Sequence, residues 1–179
     1  SVYIGILPYY AAEAAADPAR NVSLYAAAKD YHLLIQTLGE EIAAEARREY
    51  PAAHFAVFGD RSPLDERHAA AAAGLGVLGD NGTLITEKYA SFVFLFELLT
   101  DLAPDTEPRT PRSCEGCGAC RAACPAGMDP ARCLSALTQK KGTLTPEEEA
   151  AVRSGGLCWG CDICQTVCPH TEAALAAGT

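Results

Sequence analysis

Short apolar runs alternate with stretches in which apolar side chains recur every three or four positions, and this pattern predicts the elements of the first part of the chain. Val2 to Leu7 alternates, ends in apolar residues and is closed by Pro8, which predicts a buried strand. Leu24, Ala28, Tyr31, Ile35, Leu38 and Ile42 recur at helical spacing behind Ser23. They predict one helix from a Ser23 cap to about Arg48, ending in Arg47 and Arg48 where the helix dipole favours cations. Phe55 to Phe58 predicts a second short strand. Ser62-Pro63-Leu64-Asp65 offers a cap, a proline at the first helical position and an acid at the third, predicting a helix from Pro63 to Gly74. Thr83 to Thr86 is strand-like, and the long apolar run Ser91 to Leu99 predicts a central strand.

These elements describe an α/β (α+β) domain with a small sheet and flanking helices. Asp60 falls on the turn between a strand and a helix. In an open α/β sheet, that is where ligands bind, beyond the carboxyl ends of the strands. Gly74-Leu75-Gly76-Val77-Leu78-Gly79 matches G-x-G-x-x-G in form. The dinucleotide fingerprint must follow a strand and open a helix, whereas this one follows a helix. It reads instead as a turn that admits a bulky ligand close to the backbone, or simply as a tight turn.

Prolines and charges crowd Ala103 to Pro111, which predicts a boundary between residues 1–103 and 104–179. All nine cysteines lie beyond it. Two runs of C-x2-C-x2-C-x3-C-Pro stand out, Cys114 to Pro125 and Cys158 to Pro169. That spacing wraps a [4Fe–4S] cubane with three thiolates and sends the fourth, past the proline side, to the other cluster. The second part is therefore expected to be a bacterial-ferredoxin-like module with two [4Fe–4S] clusters. By the crossed rule Cys114, Cys117 and Cys120 join Cys168, while Cys161 and Cys164 join Cys124; the eighth ligand is Cys158 or Cys133. A disulfide framework fits poorly with an odd count crowded into one segment. Zinc knuckles lack the third cysteine and the trailing proline. Between the runs, Asp129-Pro130 predicts a short helix carrying Cys133 to about Gly142, and Thr145-Pro146-Glu147-Glu148 predicts another.

A net charge of −9 over 179 residues argues against broad attraction to nucleic acid or to an anionic membrane, though not against a local basic patch. No run approaches the ~18 apolar residues of a membrane span, and Ser1-Val2-Tyr3 lacks a signal-peptide layout, so a cytoplasmic protein is expected. The missing initiator Met leaves open a start inside a longer gene product.

Several strings, in order along nearly the whole chain, resemble the epoxyqueuosine reductase family. They are Tyr25, Asp30-Tyr31-His32, Asp60-x-Ser62-Pro63-Leu64, Ala73-Gly74-Leu75-Gly76, Phe94 to Leu102, Ala131-Arg132-Cys133-Leu134-Ser135 and Cys161-Asp162-x-Cys164-Gln165-x-x-Cys168-Pro169. The resemblance implies a cobalamin-dependent reductase in which two clusters deliver electrons to cobalt. Its substrate would be the epoxide of a modified tRNA nucleoside, its product queuosine, and its electron source an external flavodoxin- or ferredoxin-type donor. It also implies Asp60 as the proton donor, Tyr25, Tyr31, His32, Ser62, Gly76 and Asn81 as cofactor contacts, and Cys133 rather than Cys158 as the eighth ligand.

Gly79-Asp80-Asn81 stands where the family commonly has Gly-Lys-Asn, Ser23-Leu24-Tyr25 where it has Ser-Arg-Tyr, and the family's helical-repeat tail is absent. With the acidic balance, these departures weigh against tRNA as a partner. The competing readings are an electron-transfer protein without corrin and a cobalamin-dependent reductase of a small substrate, as in reductive dehalogenases. Asp60 also has a bland reading, a carboxylate capping a turn whose helix N-terminus favours its anion. His54, His68 and His170 read as surface or structural residues, and Trp159 as a shield for a cluster.

Overall fold

The structure is a computed structural model that describes residues 1–178. Its elements in chain order are β1 (Val2–Pro8), α1 (Ala12–Ala16), α2 (Tyr31–Glu49), β2 (Phe55–Phe58), α3 (Glu66–Ala72), β3 (Val77–Leu78), β4 (Leu84–Ile85) and β5 (Val93–Thr100). There follow α4 (Ala119–Ala123), α5 (Leu134–Thr138), α6 (Pro146–Gly155), α7 (Ile163–Thr166) and α8 (Pro169–Ala176). Single 3₁₀ turns sit at Leu24–Ala26 and Pro130–Arg132.

The sheet has the order β1-β5-β2, and both pairings are antiparallel. The apolar run around Phe96 is therefore the central strand, as its pattern predicts. The rule for ligands at the carboxyl ends of a parallel sheet does not carry over, because β2 runs against β5. Gly5 lies opposite Phe96, whose ring occupies the space a Cβ would take, so strand and ring pack face to face. Ala70, Ala71 and Leu84 form a buried cluster under Ile4 and Leu95, tying α3 and the β3-β4 hairpin to the sheet.

Two helix starts differ from the expectation. Ser23 makes no side-chain cap; the chain takes one 3₁₀ turn after it, and the long helix begins at Tyr31, where Asp30 accepts the His32 amide. The 3₁₀ turn still buries Leu24, so an apolar residue stands there although the helix has not yet begun. The next helix starts at Glu66, not Pro63: Asp65 accepts the amides of Arg67 and His68. Ser62 was the wrong cap because its hydroxyl is drawn into the sheet by Glu97. Cys133, expected within a helix, is the residue before α5. The capping box at Thr145 and Glu148 forms as expected.

The two parts of the chain meet along a polar seam. Val22 bridges Trp159, the Ser23 amide donates to the Trp159 carbonyl at 2.8 Å, and the Cys158 amide donates to the Asn21 carbonyl at 2.7 Å. Buried Asp162 accepts from Arg20 at 3.0 Å and from the Leu24 amide at 2.9 Å. Among the described residues no helix is long and apolar enough to cross a membrane.

Candidate active site and cluster ligands

The cysteine loops turn tightly because Gly116 and Gly118 take positive φ, 65° and 79°, conformations that other residues adopt at a cost. Cys114, Cys117, Cys120 and Cys168 line one cavity of about 150 Å³, with Asn81 and Pro169 on its wall. Cys161, Cys164, Cys124 and Cys133 form the other group, close enough to influence one another's ionisation. Burial first, then these neighbouring thiols, pushes Cys164 up to about 11. Bound iron reverses that balance, since a coordinating thiol loses its proton to the metal. Cys158 is exposed and its amide is used in the seam. α4 and α7, one from each run, pack on each other and bring the two groups side by side.

Among the described residues no three His, Cys, Asp or Glu side chains converge as the ligands of a single ion do. A cubane asks for something different, because its thiolates are held apart at separate iron corners. The cavity among Cys114, Cys117, Cys120 and Cys168 matches that demand.

Asp60 stands at the end of β2 with φ 62°. Aspartate tolerates this left-handed region better than most residues, and such conformations gather at functional sites. Its Oδ2 accepts from the Tyr31 hydroxyl and faces His32 Nε2 at 3.1 Å. The other ring nitrogen of His32, Nδ1, faces Asp30 at 2.7 Å. Asp30 first, with Asp60 adding, pushes the imidazole pKa up, and His32 in turn holds the Asp30 carboxyl down. Both ring nitrogens can donate at once only in the imidazolium, the form that the raised pKa favours. Burial, reinforced by Asp60, raises the Tyr31 hydroxyl. The N-terminus of α3 is capped by Asp65, which accepts the Arg67 and His68 amides, and Glu66 in its first turn accepts the Asp60 amide.

A row of rings leads away from Asp60. Tyr31 stacks on Phe94 at 4.0 Å and 6°, and Phe94 meets Tyr9 at 4.5 Å. The Tyr9 hydroxyl donates to Gln165 Oε1 at 3.3 Å, next to Cys164. Tyr25 is close enough to Asp60, Asp162 and Trp159 to feel each of them. The row thus spans from Asp60 to the second cysteine group.

The residues expected to touch a cofactor divide. Tyr31 and His32 surround Asp60, with Tyr25 close by. Ser62 turns inward to Glu97. Asn81 belongs to the cluster side: its amide donates to the Cys164 carbonyl at 3.4 Å and its oxygen accepts from Thr83. Gly76 lies against the Ile85 carbonyl, in a groove of about 640 Å³ shared with Arg109 and Arg112. Its missing side chain is explained by hairpin packing. His54, His68 and His170 are surface residues paired with Asp101, Asp65 and Glu115. Trp159 is half exposed, and its backbone stitches the seam. Sequence reasoning assigned no role to Tyr9, Glu66 or Glu97. A lone carboxylate inside the apolar run Phe94 to Leu99 was the available signal for Glu97.

Residues 113–171 match the family model of the 4Fe-4S double cluster binding domain. The chain is 34% identical over 177 residues to an epoxyqueuosine reductase of Gloeobacter violaceus, covering 94% of this chain and 56% of that protein. Its fold superposes on the epoxyqueuosine reductase structure from Streptococcus thermophilus with a TM-score of 0.79 at 25% identity, over 96% of this chain and 48% of that one. A third likeness is an epoxyqueuosine reductase crystallised with an epoxyqueuosine-modified tRNA-Tyr stem loop, at TM-score 0.66 and 31% identity, over 79% of this chain and 40% of that one. The chain spans about half the length of the relatives it matches, and it belongs to the epoxyqueuosine reductase family.

Proposed function

We propose that the chain is an iron–sulfur oxidoreductase that carries electrons from an external one-electron donor, through two [4Fe–4S] clusters, to a bound cobalamin that reduces an epoxide. The observation that carries this reading is the position of Asp60. It is an exposed carboxylate in a strained turn, held by Tyr31 and His32, at one end of an aromatic row whose other end borders Cys164.

The residues around it fit a corrin. Tyr25, Tyr31 and His32 offer flat faces and polar tips beside Asp60. When bound, the clusters and cobalamin supply low-potential electrons one at a time. Removing an epoxide oxygen as water consumes two electrons and two protons. Asp60 would pass one proton to the epoxide oxygen as the ring opens. Tyr31 orients the carboxylate, and the doubly paired His32 stands ready to return a proton to it. For the cluster ligands, the reading is Cys114, Cys117, Cys120 and Cys168 for one, and Cys124, Cys133, Cys161 and Cys164 for the other. The grouping of Cys133 with Cys161 and Cys164 supports it.

The test is anaerobic loading with iron, sulfide and cobalamin, followed by assay on an epoxyqueuosine-containing tRNA stem loop and on the free nucleoside. Corrin absorption titrating at micromolar concentration and turnover on the stem loop are expected. Asp60→Asn is expected to retain both clusters and corrin while losing about 10²–10⁴ in rate. Failure to bind cobalamin leaves an electron-transfer protein. Corrin binding without turnover on either epoxide points to a different small substrate.

A further inference from the structure

Beneath Asp60 lies a second pair of carboxylates that the proton chemistry does not use. Glu97 projects from the middle of β5, opposite Ile4 and Phe58, and is 0% exposed. Its Oε2 accepts the Ser62 hydroxyl proton, while Oε1 has no partner. A buried carboxylate with a free oxygen costs stability, and an apolar residue would serve the sheet better. Its retention in a strand of Phe and Leu therefore needs another reason.

Ser62 supplies one. Its hydroxyl, held by Glu97, also accepts the Leu64 amide at 3.0 Å, so the chain after Asp60 is fixed to the sheet through one atom. Glu66, at the start of α3, reaches back and accepts the Asp60 amide on Oε1 at 2.9 Å. Within the same turn the Arg61 amide donates to the Gly59 carbonyl at 2.8 Å. A left-handed Asp costs free energy unless its surroundings over-determine it. Here those surroundings include two glutamates, one bonded to the Asp60 amide and one to the Ser62 hydroxyl.

We propose that Glu97, through the Ser62 hydroxyl, and Glu66, through the Asp60 amide, are positioning residues that clamp the Asp60 turn and set the angle at which its carboxylate meets Tyr31, His32 and the substrate. The proposal rests on reading Asp60 as the proton donor. Neither glutamate touches the reacting atoms; each acts through the backbone that carries Asp60.

Four variants of the full, cluster- and corrin-loaded chain test it. Ser62→Ala removes the hydroxyl and with it the hydrogen bond to buried Glu97, and Glu66→Ala frees the Asp60 amide. Glu66→Gln and Glu97→Gln each keep an oxygen that can accept. Hydrogen exchange of the peptide spanning residues 59–66, read by mass spectrometry, is expected to quicken about tenfold or more in the two Ala variants and to stay near wild type in the Gln variants. Epoxide reduction is expected to lose roughly 10–100-fold in kcat with KM unchanged in Ser62→Ala and Glu66→Ala, since misplacing a catalytic group by an ångström has that effect. The Gln variants should restore most of the rate. Unchanged exchange and kcat in both Ala variants, with Asp60→Asn inactive, overturns the clamp. Full activity in Asp60→Asn overturns the acid reading instead, while the exchange rates still report on the clamp.

Discussion

His32 stands with each ring nitrogen against a carboxylate, Asp30 on one side and Asp60 on the other. Its pKa is raised, chiefly by the Asp30 hydrogen bond, so the folded chain holds this proton more tightly than the unfolded chain. The sign follows directly. The stabilisation is fully present below the ordinary histidine value of about 6.5 and is lost as pH rises through the elevated folded value. An NMR titration of His32 is expected to give a midpoint above that of a free histidine, and Asp30→Asn should bring it back towards the ordinary value. A midpoint unmoved by Asp30→Asn would mean that Asp60 alone sets the charge. Asp60 itself was legible in the sequence as a residue after a strand. Its left-handed backbone and its two partners were not, because Tyr31 and His32 reach it from a helix nearly thirty positions earlier.

Among the elements, α2 shows how packing outweighs propensity. Gly39 lies on its buried face, and the Val57 side chain on β2 occupies the space a Cβ would need. In a free helix Gly→Ala gains about 1 kcal/mol. Here the added methyl must push Val57 aside, and overpacking costs roughly 1–3 kcal/mol. Gly39→Ala is therefore expected to lower the unfolding free energy in denaturant, and a gain of stability would show that helix and strand can separate freely. The helices predicted before the cysteine runs lie in the right places but start later than Ser23 and Pro63, and the pattern does not predict the short helices α1, α4, α7 and α8 at all. In both cases a serine looked like a cap in the local string, and its hydrogen bonding was decided elsewhere. Ser23 is buried under the seam with Trp159, and Ser62 answers to Glu97. The capping box at Thr145 was read correctly because all of its partners lie within four residues.

For the whole molecule, the joint between the sheet and the cysteine loops holds the Asp60 end of the chain against the second cysteine group. Asp162 sits in that joint between cluster cysteines, buried against Arg20 and the Leu24 amide. Asp162→Ala leaves the Leu24 amide without this partner and a mostly buried guanidinium with the Val22 carbonyl but no counter-charge, and breaking a buried pair costs about 3–5 kcal/mol. Thermal unfolding of the loaded chain should show a clear drop in Tm, and an unchanged Tm would reduce the pair to a surface contact. The ninth cysteine is judged at the same scale. Cys133→Ser is expected to remove about half of the bound iron and Cys158→Ser almost none, by iron and sulfide analysis. The reverse result would return Cys158 to the ligand set and restore the tandem spacing rule.

The sequence by itself determined the two-cluster chemistry, since three thiolates at two-residue spacing and a following proline are local demands that a short loop meets alone. It also determined the central strand, because a long apolar run needs burial on both faces wherever it goes. Only the tertiary structure decided what surrounds Asp60. The antiparallel order β1-β5-β2 placed Glu97 beneath the turn, and the seam at Trp159 and Asp162 set Tyr9, Phe94 and Tyr31 in a row from the second cysteine group to the carboxylate. Contacts between residues far apart in the chain leave no period and no spacing to read. They arise when sheet and loops pack, and here they turn separate strings into one site.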